Sequence, residues 1–303
     1  MSDEVPVSDE VPMSDERPPM SAPGVPFQAR IERDVILAEG VDAAGFLQGQ
    51  LSQDVVGLAD GAGAHSLLLQ PQGKIDAWLR VTRLGPERFL LDVDGGHGAA
   101  VIARLERFKL RTRCQLTTLA DWACWAVRGL DGAEVAPVDG EVRAAVGWPG
   151  TTGFDRLGPA AALAPLPGVE LADTDRYAMA RIEAGVPAMG AELGPDTIPA
   201  EAGQWLIDVS VSFTKGCYTG QELVARVDSR GSNTPRKLRR LRAAGQGLSA
   251  GAALQLDGDD VGEVTSAVAG SAVALGYLKR AVPVPATVRC GGLSVSVEEL
   301  PGG

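Results

Sequence analysis

Residues 215–222 read Lys-Gly-Cys-Tyr-Thr-Gly-Gln-Glu, and the fold of the chain can be predicted from this stretch outward. The octapeptide sets Cys217 between two glycines and after a lysine, in a chain of 303 residues with four cysteines. A nearby cation and backbone N–H groups favour a thiolate, and helix-forming residues follow from Gln221 onward. Two interpretations of Cys217 are open: a reactive thiolate where a loop enters a helix, or a small apolar side chain under a turn.

The octapeptide resembles the signature of the YgfZ-type folate-binding proteins, relatives of the glycine cleavage T-protein in the aminomethyltransferase superfamily. Arg-Ile-Glu-Ala-Gly-Val-Pro at 181–187 and Thr-Ile-Pro-Ala-Glu at 197–201 are similar to two further segments of that family. The resemblance extends from about residue 27 to the end, through the segments 46–55, 262–266 and 274–278.

The resemblance implies an α+β fold in which ferredoxin-like folate-binding lobes surround a central opening, with a small C-terminal β-barrel. It suggests a folate-binding region of two interleaved lobes (26–235) and the barrel (236–303), which the composition of the start precedes with a disordered acidic tail (1–25). Periodicity predicts helices over 98–110 and 173–184. It also predicts an antiparallel meander of strands at 64–69, 77–81 and 89–93.

Composition limits the class of protein. The chain is 45% hydrophobic and 22% charged, as in ordinary soluble proteins. No apolar run is long enough to cross a bilayer, and no secretory signal is visible, so we expect a cytoplasmic protein without membrane contact. Much of the net charge of −11 comes from a repeated Ser-Asp-Glu-Val-Pro before residue 20, a low-complexity tail that should be disordered.

The cysteines lack metal-site spacing. Cys114, Cys124, Cys217 and Cys290 form no C-x-x-C pair, and His65 and His97 are the two histidines of the chain. We therefore expect no metal site.

The cofactor implied by the resemblance is tetrahydrofolate or a derivative. A carboxylate can accept two N–H donors of a pterin edge side by side, and the resemblance gives that role to Glu201, with Glu183 as a weaker candidate. Arg181 is a further candidate for folate binding. Arginine suits the anionic glutamate tail of folate, which makes Arg226 and Arg230 candidates for that end.

One position departs from the family. Alignment of residues 72–79 places Trp78 near the aspartate on which aminomethyl transfer relies. Asp76 lies two residues earlier and would share a strand face with Trp78, so it is a weak substitute for the acid. Glycine cleavage activity is therefore not expected.

Three functions remain open. The first is a folate-binding accessory factor for iron-sulfur cluster assembly or repair, which supports iron-sulfur enzymes including tRNA-modifying ones. The second is a folate-dependent one-carbon transferase with Asp76 as its acid. The third is a scaffold that binds RNA or a protein through the basic stretch Arg236–Arg242, although this stretch lacks the interleaved aromatic residues that stack on single-stranded nucleic acid.

Overall fold

A computed structural model describes residues 24–302 with the exceptions of residues 230, 232 and 246. Residues 1–23 of the predicted disordered tail and the candidate Arg230 lie outside the described residues. The described chain forms two five-stranded sheets, five α-helices and a closed β-barrel. The predicted α+β fold with a C-terminal barrel is confirmed.

The first sheet has the strand order β10-β1-β7-β9-β8. Apart from the parallel pair β1 and β10, its strands run antiparallel. Its strands are β1 (Phe27–Ile31), β7 (Trp122–Arg128), β8 (Val142–Ala145), β9 (Gly153–Pro159) and β10 (Glu170–Ala172).

The second sheet has the order β3-β4-β5-β2-β6 and contains the predicted meander. Because side chains alternate along a strand, alternate residues of its central strands pack into the largest hydrophobic core. Its strands are β2 (Arg33–Glu39), β3 (Gly63–Leu69), β4 (Ile75–Gly85), β5 (Arg88–Asp94) and β6 (Gln115–Thr118).

The helices connect and cover these sheets. They are α1 (Ala43–Gln50), α2 (Gly98–Phe108), α3 (Thr174–Glu183), α4 (Gln204–Ser210) and α5 (Gln221–Ser229). The predicted helix at 173–184 begins as expected, because the Asp173 carboxylate caps it by accepting from the N–H of Arg176 at 2.9 Å. A short 3₁₀ turn, Pro199–Glu201, precedes α4.

The barrel has six strands and its own apolar core. Its first strand begins at Arg236, directly after the predicted domain boundary, and the domain division itself remains a prediction. The strands are β11 (Arg236–Ala243), β12 (Ala253–Leu256), β13 (Asp259–Ala267), β14 (Val273–Lys279), β15 (Ala286–Cys290) and β16 (Leu293–Glu298). Within the described part of the chain, no helix has the length and apolar character needed to span a membrane.

Candidate functional site

The Lys215 ammonium anchors the octapeptide loop between α4 and α5. Its Nζ donates to the main-chain oxygens of Gln48 at 2.6 Å, Leu51 at 2.7 Å and Gln53 at 2.9 Å. These carbonyls lie at the C-terminal end of α1 and just beyond it, where helices leave acceptors unpaired. Burial lowers the pKa of Lys215 to about 8. The lysine therefore fixes the loop on α1, and these three hydrogen bonds all go to main-chain carbonyls.

Two other residues of the octapeptide, Tyr218 and Gly220, also hold the loop in place. Tyr218 is buried, and burial raises the pKa of its phenol to about 12. Gly220 has φ of +83°, and a Cβ on it would lie 2.6 Å from the carbonyl oxygen of Gln70. The helix α5 begins at the next residue, Gln221, as predicted.

Cys217 is exposed, whereas the other three cysteines are buried. Gly216 and Thr214 beside it are also exposed, and the Phe213 ring is 48% exposed. The thiol therefore lies on an exposed loop that Lys215, Tyr218 and Gly220 hold in place, and it is not packed under a turn.

A cavity of about 340 Å³ lies elsewhere, between the two sheets and α3. One wall carries Trp78 of β4 and His65 of β3, whose rings stack with centroids 4.7 Å apart. The indole Nε1 of Trp78 donates to Ser210 Oγ at 2.9 Å, which fixes the orientation of the ring. Trp148 and Tyr177 also line the cavity, with centroids 5.5 Å apart. Aromatic faces of this kind suit a planar ring.

Paired charges lie at one side of the cavity, where Arg33, Arg80 and Asp155 line it and their partners Asp92 and Arg128 lie behind them. Arg80 donates to Asp92 at 2.7 Å and to Asp155 at 2.5 Å. Arg128 also donates to Asp155, at 2.8 Å, and Arg33 donates to Asp92 at 2.9 Å. Burial by itself would raise the pKa of Asp155, but the guanidinium groups of Arg128 and Arg80 outweigh it and hold that pKa well below its usual range. The carboxylates of Asp92 and Asp155 are therefore both paired with arginine side chains.

Two other carboxylates line the cavity, and sequence reasoning missed both. Asp94 accepts from Arg33 and, at 2.9 Å, from the N–H of Met189. Glu32 is exposed and has no hydrogen-bonding or ionic side-chain partner among the described residues. Glu32 directly follows β1 and Asp94 ends β5, and placement at the end of a strand was the available signal.

The predicted pterin ligand Glu201 lies in a different place. Its carboxylate is buried, accepts from Arg236 Nε at 3.0 Å and is absent from the residues that line the cavity. Glu183 is half-exposed and pairs with Arg242 at 3.2 Å, at the edge of the barrel. The structure therefore does not bring Glu201 and Glu183 to the aromatic cavity.

The candidate arginines also have internal partners. Arg181 lines the cavity, but its guanidinium donates to the carbonyl of Val186 at 2.7 Å and to Ser266 Oγ at 2.7 Å. Arg226 is exposed and pairs with Glu222 of the octapeptide at 2.5 Å.

Asp76 does not join Trp78 at the cavity. The register of β3 and β4 shifts so that Leu68 faces Ala77 while Leu69 faces Ile75, which leaves Asp76 as the extra residue of a bulge. Its carboxylate accepts from Arg104 Nε of α2 at 3.0 Å. The expectation that Asp76 shares a strand face with Trp78 was wrong, because the bulge interrupts the alternation of side chains along β4.

The basic stretch Arg236–Arg242 is largely neutralised within the fold. Arg239 pairs with Glu299 at 2.7 Å, and Arg240 pairs with Glu298 at 2.8 Å. Among the described residues, no group of three or more His, Cys, Asp or Glu side chains is placed to hold a metal ion.

Comparison with known proteins gives several relatives. No protein-family model matches the chain. An uncharacterized protein of Haemophilus influenzae is 29% identical over 210 residues, which cover 68% of this chain and 70% of that protein. The mitochondrial iron-sulfur cluster assembly factor IBA57 of Mus musculus is 30% identical over 226 residues, 66% of this chain and 61% of that factor. An aminomethyltransferase of Desulfitobacterium hafniense is 27% identical over 267 residues, 75% of this chain and 70% of that enzyme.

The alignments reach only part of the mitochondrial factors: they cover 49% of the Neurospora crassa homologue. Among solved structures, the glycine cleavage system aminomethyltransferase T of Bartonella henselae matches with a TM-score of 0.77 and 25% identity, over 92% of this chain and 86% of that chain. The chain thus has the aminomethyltransferase fold, and its sequence is similar both to such an enzyme and to iron-sulfur cluster assembly factors.

Proposed function

We propose that this chain, with its aminomethyltransferase fold and its similarity to iron-sulfur cluster assembly factors, is a folate-binding accessory factor of the YgfZ type. It would support assembly or repair of iron-sulfur clusters in the cytoplasm, and through it iron-sulfur enzymes including those that modify tRNA. The observation that carries the proposal is the aromatic cavity, which is lined by Trp78, a residue near the position where the resemblance expects the transfer acid.

The residues of the cavity fit a pterin. Its volume of about 340 Å³ lies within the range of small-molecule sites. Trp78, Trp148 and Tyr177 offer aromatic faces, and the free carboxylate of Glu32 can accept from the donor edge of a pterin. Tetrahydrofolate, when bound, would supply one-carbon or redox chemistry, and the chain's own residues would bind and orient it.

The same residues argue against catalysis by proton transfer. Burial lowers the pKa of His65 to about 3, so its imidazole is neutral near pH 7. Asp92 and Asp155 are held ionised by arginines. Asp76, the acid of the one-carbon transferase alternative, is paired with Arg104. We therefore favour binding without turnover.

Cys217 supplies the second part of the proposal. Its thiol is exposed on a loop that Lys215 and Gly220 hold in place, so it can meet a partner protein while the cavity holds folate. The partners we propose are iron-sulfur proteins or their assembly factors.

The folate proposal is tested by calorimetric titration of the full chain with tetrahydrofolate. We expect saturable binding that Glu32→Gln weakens about tenfold, the order expected for a charge-assisted hydrogen bond. Glu87→Gln, at the exposed turn between β4 and β5, is the matched control and should bind like the unchanged protein. Absence of binding at millimolar tetrahydrofolate would refute the proposed cofactor.

The thiol proposal is tested in a strain that lacks this protein. Cys217→Ser should fail to restore the activity of iron-sulfur enzymes, whereas Thr214→Ala on the same exposed loop should restore it. Full rescue by Cys217→Ser, with equal protein levels, would remove the thiol from the mechanism.

A further inference from the structure

A cationic surface lies apart from the cavity and from the Cys217 loop. It comprises residues 107–113, which run from the last two residues of α2 toward β6, and we call it the basic turn. The side chains of Arg107, Arg111 and Arg113 are exposed, and Leu110 is 83% exposed. An apolar side chain thus projects between cations, in contrast to an ordinary solvated helix face.

Two of these cations are unpaired. Lys109 pairs with Glu106, and Arg113 pairs with Asp42 at 3.0 Å. Within the described ranges, no carboxylate lies within 4.0 Å of the guanidinium nitrogens of Arg107 or Arg111. The basic turn therefore offers two free guanidinium groups on either side of an exposed leucine.

The chain carries a segment of complementary chemistry. Residues 2–6 and 8–12 read Ser-Asp-Glu-Val-Pro and Ser-Asp-Glu-Val-Pro, and residues 14–16 repeat Ser-Asp-Glu. Each of the first two copies sets two carboxylates beside a valine. We propose that the basic turn is a docking surface for these acidic repeats of the chain's own N-terminal segment, with carboxylates on Arg107 and Arg111 and a valine against Leu110.

The segment is long enough for this contact. Gly40 lies against the basic turn, since a Cβ on it would meet the Arg113 carbonyl oxygen at 2.2 Å. Gly40 lies sixteen positions after Gly24, and Glu4 lies twenty positions before it. Each residue spans at most roughly 3.6 Å, so the distance from Gly24 to Gly40 is limited by the sixteen residue steps between them. The twenty steps from Gly24 back to Glu4 are therefore enough to cover the same distance. Tethering also raises the effective concentration of the repeats to about the millimolar range, which compensates for weak exposed ion pairs.

Other occupants fit less well. Single-stranded RNA needs aromatic faces for stacking, and the one aromatic ring of the basic turn, Phe108, has one face covered by the Arg104 guanidinium at 3.8 Å. An acidic protein partner or a second copy of the chain would use the same charges, so the experiment must separate contacts within one chain from contacts between chains.

Carbodiimide cross-linking makes this separation, because it joins a carboxylate to an amine only at ion-pair contact. In the full chain with Arg111→Lys, we expect links from the carboxylates of residues 3–16 to Lys109 and residue 111. These links should be at least fivefold more frequent than links to the control lysines Lys74 and Lys279, and about 1 M salt should abolish them. Mixing isotope-labelled and unlabelled protein should give no mixed-label links.

Three outcomes of the cross-linking would contradict the proposal or part of it. Links spread evenly over all lysines, or no links from the N-terminal segment, would overturn the proposal. Mixed-label links would overturn it in favour of a second copy. A further variant, Leu110→Ser in the same background, should lower the yield of the links several-fold, and an unchanged yield would remove the apolar part of the contact. Circular dichroism of each variant confirms that it is folded.

Discussion

The imidazole of His65 stacks on the indole of Trp78 with an angle of 20° between the ring planes. Its Nε2 is buried and has no hydrogen-bond partner among the described residues. Burial, together with the nearby charges of Arg80 and Arg33, lowers the pKa of His65 to about 3. Protonation of this ring would therefore place a charge in the wall of the cavity.

This relationship predicts a pH dependence of stability. Between about pH 3 and pH 6.5 the unfolded chain binds a proton on His65 that the folded chain does not bind, so the free energy of unfolding falls as the pH falls through that range. From about pH 7 to pH 4.5 the loss should be about 2 kcal/mol. His65→Phe keeps an aromatic ring and should flatten the dependence measured by urea unfolding. His97→Gln, which removes the other histidine, should keep it, and equal slopes for both variants would contradict the prediction.

The two glycines of the octapeptide should respond differently to alanine. At Gly220 the backbone has φ of +83° and a Cβ would meet Gln70 oxygen at 2.6 Å, so Gly220→Ala should cost about 2 kcal/mol or more. At Gly216 nothing lies within 4 Å of the added Cβ, and Gly216→Ala should change the free energy of unfolding by less than about 0.5 kcal/mol. Urea titrations of both variants check this. A similar loss in both would mean that the loop is not seated as described.

Asp155 should be among the most sensitive positions of the chain. It accepts from Arg80 and Arg128, both buried, so Asp155→Asn would leave buried guanidinium groups without their counter-charge. Removing one partner of a buried ion pair costs about 3 to 5 kcal/mol. Asp196→Asn removes an exposed partner of Lys74 and should leave the melting temperature nearly unchanged. Thermal unfolding of the two variants gives the comparison, and equal melting temperatures would be the contrary result.

The fold was predicted from the resemblance of the octapeptide and its companion segments to a known family, whereas local signals predicted individual helices and strands. Asp173 caps its helix, the meander strands alternate, and the octapeptide leads into α5 at Gln221. The side-chain environments were harder to predict. Lys215 was expected to act on Cys217, but it lies against carbonyls from residues 48–53, which the fold alone brings to it.

The residues that line the cavity were harder still to predict from the sequence. Trp148 and Tyr177 come from segments far from β4, and no spacing in the sequence relates them to Trp78. A bulge that periodicity does not reveal turned Asp76 toward Arg104. Motif spacing thus indicated which residues are notable, whereas three-dimensional packing decided which of them meet.

Glu201 and Glu32 are two alternative candidates for the protein carboxylate that binds the pterin of folate. Glu201 is 4% exposed and paired with Arg236, so Glu201→Gln should lower the free energy of unfolding by about 1 to 3 kcal/mol and leave tetrahydrofolate affinity within about twofold. Glu32→Gln should do the reverse, with little change in stability and weaker binding. Calorimetric titration of both variants, after their unfolding curves establish that each is folded, compares the two positions directly. Binding lost in Glu201→Gln and kept in Glu32→Gln would move the ligand from the aromatic cavity to the side of Arg236.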